Sequence, residues 1–171
     1  MSDRKNIKVI IQSLVTDLAS EDGMVRIKAR RRLVAYKSRS VAPLIKALSS
    51  KSDYVRWEAA KTLGQIGSPA SIQALLRALE DNMFDVRWLA AEGLIGIRQK
   101  AVVPMLKKLV KHPDSYWLLE GIHHVMHDMN QGELRKVLRP VLAALESSEP
   151  SLTTPFKVRG LSFRASGYIC S

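Results

Sequence analysis

One stretch of this chain is written twice. The run Asp53-Tyr54-Val55-Arg56-Trp57-Glu58-Ala59-Ala60 returns as Asp85-Val86-Arg87-Trp88-Leu89-Ala90-Ala91, with the Val-Arg-Trp triplets 31 residues apart, at positions 55 and 86. A fixed period of about 20 to 50 residues marks a stack of like units, none of which can bury its apolar face alone. The period runs beyond the two copies. Val25, Val55 and Val86 recur at steps of 30 and 31, and Ile45, Leu76 and Leu106 at steps of 31 and 30.

Inside each period the apolar spacing is helical. Ile7, Ile10, Ile11, Leu14, Val15 and Leu18 share one face of a helix over 6–20. Asp22 is placed to cap a second helix over 24–37, and Ser52 or Asp53 to cap another over 54–66. Pro43 and Pro104 are expected in the first turns of their helices, where a missing N–H costs little. The pattern predicts an all-α solenoid over 1–147, four helix pairs plus a closing helix over 133–146. Residues 148–171 hold Ser, Thr, Pro and Gly without a helical period, and are expected to be a poorly ordered tail. The alternative is an extended strand docked through Phe156, Phe163 and Tyr168.

Composition agrees with close helix packing. Ala and Leu dominate a 46% apolar fraction, and no strand-length alternation of apolar and polar residues occurs. Net charge is +11, and 10 of the 27 basic residues fall in the first 40 positions. Such a balance attracts nucleic acid, anionic membrane or acidic protein. The single cysteine, Cys170, excludes a disulfide framework within the chain. Val9-Ile10-Ile11 is too short and too interrupted for a signal peptide or a span. The expected location is the cytoplasm.

The segments Asp-x-Val-Arg and Asp-Val-Arg, followed by Ala-Ala and then Leu-Gly or Gly-Leu, resemble HEAT repeats, most closely the short type named after phycobilisome lyases. The resemblance covers roughly residues 7–129. It implies that the second helix of each pair lines a concave face. It also implies a structural ladder in which Arg26, Arg56 and Arg87 pair with Asp22, Asp53 and Asp85. The fourth repeat has Trp117-Leu118 where the third has Val86-Arg87, so the ladder is expected to stop there.

Stacking the second helices by register gives two rows on that face. One reads Ile27, Trp57, Trp88, Leu119, and the next Arg31, Lys61, Glu92, His123. Trp57 and Trp88 are candidates for aromatic anchors in a partner groove, or else space-fillers between helices. Trp88 and Glu92 also resemble the Trp and acid of HEAT-like DNA glycosylases acting on alkylated purines. Glu120, His123, His124 and His127 share a helix face, and His123 and His127 have zincin spacing without the zincin glutamate. HEAT-repeat iron hydroxylases use His-Glu dipeptides, which are absent here. The basic helix Arg26 to Arg32 and the row Lys46, Arg77, Lys107 read as solvated surfaces on opposite sides. Gly64 and Gly67 read as helix-end residues, and no phosphate loop or nucleophile triad occurs.

The expected function is therefore a non-catalytic scaffold or interaction module. Trp57, Lys61, Trp88, Glu92, His123, His127 and Arg31 would contact a protein partner, with no cofactor and no metal. The alternatives are a nucleic-acid binder with or without base-repair chemistry, and a metalloenzyme on the histidine cluster. Tetrapyrrole handling is a remote implication of the lyase resemblance.

Overall fold

The computed structural model describes residues 2–165, with side chains from 5 to 159. The described residues form ten α-helices and no strand. They fall into two compact units, divided between Ile97 and Arg98.

The first unit holds three helix pairs: α1 (Ser2–Asp17) with α2 (Gly23–Ala35), α3 (Ser38–Ala47) with α4 (Asp53–Ile66), and α5 (Ile72–Ala78) with α6 (Phe84–Ile97). A single turn of 3₁₀ helix, Pro69–Ser71, leads into α5. The second helices α2, α4 and α6 pack side by side, and α1 packs on α3. The register residues supply the core: Val55, Val86, Leu76 and Leu63 are buried, as are the Ala-Ala pairs 59–60 and 90–91. Helices α4 and α6 meet at two glycines. A Cβ on Gly64 would lie 3.3 Å from the Gly93 Cα. Gly64 is thus a packing residue inside α4, not a helix-end residue, and bare backbone is what lets the two helices meet so closely. Gly67 does end α4, in the left-handed conformation at φ 63°.

The second unit contains α7 (Gln99–Lys111), α8 (Tyr116–Met129), α9 (Leu134–Leu145) and α10 (Pro150–Ala165). Here the expected irregular tail is corrected. Residues 150–165 are helical, and α10 packs on both α7 and α9. Pro150 starts the helix, where its missing N–H is unneeded. Thr154 and Val158, four apart, are buried. Hydroxyls secure the corner: Thr153 Oγ1 donates to the Ala144 carbonyl at 3.0 Å and lies 2.8 Å from Ser147 Oγ. Phe156 is 74% exposed and does not dock. The Phe163 side chain, Tyr168 and Cys170 lie outside the described residues.

The two prolines differ from expectation as well. Pro43 and Pro104 lie inside α3 and α7, because both helices begin five residues earlier, at Ser38 and Gln99. The residues before those starts, Lys37 at φ 50° and Arg98 at φ 60°, hold a backbone conformation that favours glycine. They occupy the register of Gly67, at positions 37, 67 and 98. The chain takes a positive φ there after each of the first three repeats, and only the second of these provides the residue suited to it.

Lys37→Gly and Arg98→Gly should therefore each raise stability by about 1 kcal/mol, the relief of strain exceeding the added freedom of the unfolded chain. Urea denaturation followed by circular dichroism checks this; an unchanged or lowered midpoint would show that the positive φ stores no strain.

Candidate functional site

The site grows out of a repeated use of arginine. In each repeat of the first unit, one arginine of the second helix turns back onto the preceding interhelix loop. Arg26 Nη1 donates to the carbonyls of Ser20 and Glu21, at 2.7 and 2.9 Å. Arg56 Nη1 donates to those of Ser50 and Lys51, at 2.9 and 3.3 Å. Arg87 Nη1 donates to those of Asp81 and Asn82, at 2.8 and 3.3 Å. These loop carbonyls follow the ends of α1, α3 and α5, where helical donors have run out.

The loops carry a second repeated device. Ser20 Oγ, Ser50 Oγ and Asp81 Oδ1 each accept from the backbone N–H two residues on, at 3.2, 3.2 and 2.9 Å. Only at position 81 is that side chain a carboxylate. Asp81 therefore has charge to offer the previous repeat, and Arg56 takes it: Nε–Oδ2 is 2.7 Å and Nη2–Oδ1 3.1 Å, a two-pronged pair. Arg56 Nη2 also reaches Asp53 Oδ1 at 2.6 Å and Asn82 Oδ1 at 2.7 Å. Arg56 is nearly buried, at 8% exposure. Its bond to Asp81 raises its pKa above the usual arginine range; burial opposes this, and Asp53 adds to the rise. It stays charged at any working pH.

The expected ladder thus holds at Asp53–Arg56 and differs elsewhere. Asp22 caps α2 instead, accepting from the Met24 N–H at 2.7 Å. Asp85 stands exposed in the first turn of α6 and pairs with no cation among the described residues. Two acids that the Asp-x-Val-Arg pattern does not mark take their places. Asp81 joins repeats two and three, and Glu58, 2% exposed, joins repeats one and two through Arg30 and Arg26. Arg30 is accordingly an ion-pair residue and not part of a solvated basic face. A carboxylate so buried needs cationic donors.

Above this framework large rings face outward. Tyr54 is 68%, Phe84 60% and Trp88 46% exposed, while Trp57 is half-buried. Each of the first three neighbours another charged or aromatic group. The Arg26 guanidinium lies 5.4 Å from the Tyr54 centroid, the Arg87 guanidinium 5.7 Å from that of Phe84, and Phe84 and Trp88 are 6.3 Å apart. Lys61 Nζ sits 4.4 Å from the Trp57 centroid, on the same helix one turn on. Arg26, Asp53, Tyr54, Trp57, Met83 and Asp85 line a groove of ≈ 440 Å³. That is within the range of ligand-accepting clefts.

A family model of HEAT repeats matches residues 9–94. The chain belongs to the HEAT-repeat family. HEAT repeats generally mediate protein–protein interaction or scaffolding and are generally non-catalytic. No curated protein matches this HEAT chain. The matched segment contains the arginine framework, the aromatic surface and the groove.

Of the other residues singled out from sequence, Arg31 and Glu92 are exposed on the HEAT helices α2 and α6. Those on α8 belong to the second unit. His123 Nε2 lies 3.0 Å from Glu146 Oε1 just past α9, and the His123 and His127 rings are 6.2 Å apart. Among the described residues no three His, Cys, Asp or Glu side chains converge as a metal set. No described helix is long and apolar enough to cross a membrane.

Replacing Arg56 by Met should cost about 3 kcal/mol, since it strands Asp81 and removes donors from two loop carbonyls. Asp85→Ala should change stability by less than about 0.5 kcal/mol. Chemical denaturation of both variants decides; equal effects would show that Arg56 is not the joint between repeats.

Proposed function

We propose that the chain is a non-catalytic interaction module that binds a segment of a protein partner across α4 and α6. The observation that carries this reading is the set of exposed rings on two helices packed side by side, Tyr54 on α4 with Phe84 and Trp88 on α6, and a groove lined by Tyr54 and Trp57. Single exposed apolar residues are ordinary, but several large aromatics on adjacent helices form a surface with reason to be covered. Aromatic and arginine side chains are also the groups that dominate binding energy at protein interfaces.

The charges favour a protein over a nucleic acid. Arg26, Lys61 and Arg87 beside rings would suit phosphates and bases, yet Asp53 and Asp85 line the same groove and would repel a phosphate chain. A peptide carries both signs of charge and apolar side chains. In short repeats of the phycobilisome-lyase type this face is the concave one, and Arg31, Lys61 and Glu92 extend the proposed contact along it. His123 and His127, in the second unit, are proposed separately as contact residues of their own repeat. We place the module in the cytoplasm.

Quantitative affinity capture from native lysate tests this, comparing wild type with Phe84→Ala/Trp88→Ala and Tyr54→Ala/Trp57→Ala. The first pair is exposed and should leave the fold intact by circular dichroism. A shared partner should be retained at least about tenfold less by both variants. An unchanged partner set in both would refute the aromatic face as the binding surface.

A further inference from the structure

A second groove lies on the first-helix side of the same unit, between α1 and α3. Ile7, Lys8, Ile11, Arg39 and Pro43 line it, and it encloses ≈ 400 Å³. Among the described residues its lining is apolar except for two cations, one from each helix, and no acid contributes. Lys8 and Arg39 are exposed, and neither side chain has a hydrogen-bond or ion-pair partner among the described residues. This contrasts with Arg26, Arg30 and Arg56, which are all held by carboxylates. Pro43 adds a feature of its own. It has no N–H to give the Arg39 carbonyl one turn back, so a backbone acceptor is left beside the cations.

We propose that this groove docks an acidic amphipathic segment of a partner protein, with an apolar side chain over Ile7, Ile11 and Pro43 and flanking carboxylates on Lys8 and Arg39. The occupant follows from the charge. Two unpaired cations at an apolar trough attract carboxylates held beside an apolar group, and the first 40 residues carry 10 Lys and Arg against 4 Asp and Glu. An amphipathic segment places apolar and acidic side chains on adjoining faces at a spacing of three or four, which matches cations on two neighbouring helices. A nucleic acid finds no use for the apolar floor. A fatty acid needs most of its chain enclosed, and two helices forming an open trough do not enclose it. A second copy of this chain, at +11, would bring the wrong charge. The site is independent of the aromatic face: it lies on α1 and α3 and shares no lining residue with it.

The test uses the full chain and fluorescently labelled helical peptides with Leu at i, i+3, i+4 and i+7. One set carries Glu at the flanking positions, a matched set Gln. Fluorescence anisotropy should show saturable binding of the Glu peptides, weakened by salt and at least about tenfold weaker for the Gln peptides. Lys8→Glu/Arg39→Glu should reduce Glu-peptide binding by at least about tenfold, while Lys28→Glu/Arg32→Glu, with the same charge change on exposed positions of α2, should leave most of it. Ile7→Asp supplies a second variant that alters the floor without removing a cation. Equal losses in the two charge-reversal variants would reduce the effect to bulk charge and overturn the proposal. So would Glu-peptide binding insensitive to both Lys8→Glu/Arg39→Glu and Ile7→Asp, or no binding of any Glu peptide. Phosphatidylserine vesicles form the last arm; a loss in Lys8→Glu/Arg39→Glu confined to vesicles would assign the groove to a membrane surface and overturn it likewise.

Discussion

The Arg56 guanidinium is the joint on which the first unit depends. Its donors are divided among two carbonyls of its own repeat's loop, Asp53 on its own helix, and Asp81 with Asn82 in the next repeat. A charge so nearly buried is costly unless its donors are taken up, and here they are. The bond pattern does more than compensate for burial. It ties the turn before α4 to the turn before α6, and so fixes how those helices start relative to each other. Gly64 and Gly93 fix the same pair further along, where bare backbone meets bare backbone. With both ends set, Tyr54 and Trp57 on α4 and Phe84 and Trp88 on α6 are carried by two helices that pack side by side.

That arrangement separates holding from binding within one short motif. Valine fills the core, arginine locks loop to loop, and the aromatic residues around them are left outside. The framework charges are largely saturated. Among the described residues the groove keeps one unpaired carboxylate, Asp85, while the α1–α3 trough keeps two unpaired cations. Both surfaces therefore offer charge to a visitor without dismantling the fold, at sites of opposite local character.

Much of the fold is legible in the sequence because each helix pair repeats its own pattern locally. The valines, the leucines and the cap at Asp22 follow from spacing alone. What acts between repeats is harder to see. Asp81 lies in a turn whose counterparts are Ser20 and Ser50, and only aligning those three positions would have marked the one carboxylate. Glu58 sits among buried alanines, and its partners are 28 and 32 residues earlier, at Arg30 and Arg26. Pro43 and Pro104 drew the helix starts toward themselves, because their effect on local propensity outweighs any visible signal at Lys37 or Arg98. Helix α10 is poor in strong helix formers and is held by Thr154 and Val158 packing on its neighbours, so tertiary contact overrides propensity there. Register pointed to Trp57 and Trp88 as ring positions on α4 and α6. Tyr54 and Phe84 fall just outside the two rows, and their exposure became visible only in the fold.

The most direct measurement is site-specific photocrosslinking in cells. Tyr54 and Phe84 are each replaced by p-benzoylphenylalanine, an aromatic of similar attachment at exposed positions, and Arg77, exposed on α5, serves as the control. The account predicts one partner crosslinked from both positions 54 and 84 and none from 77. Crosslinks from 77 alone, or different partners from 54 and 84, would contradict a single binding face across α4 and α6.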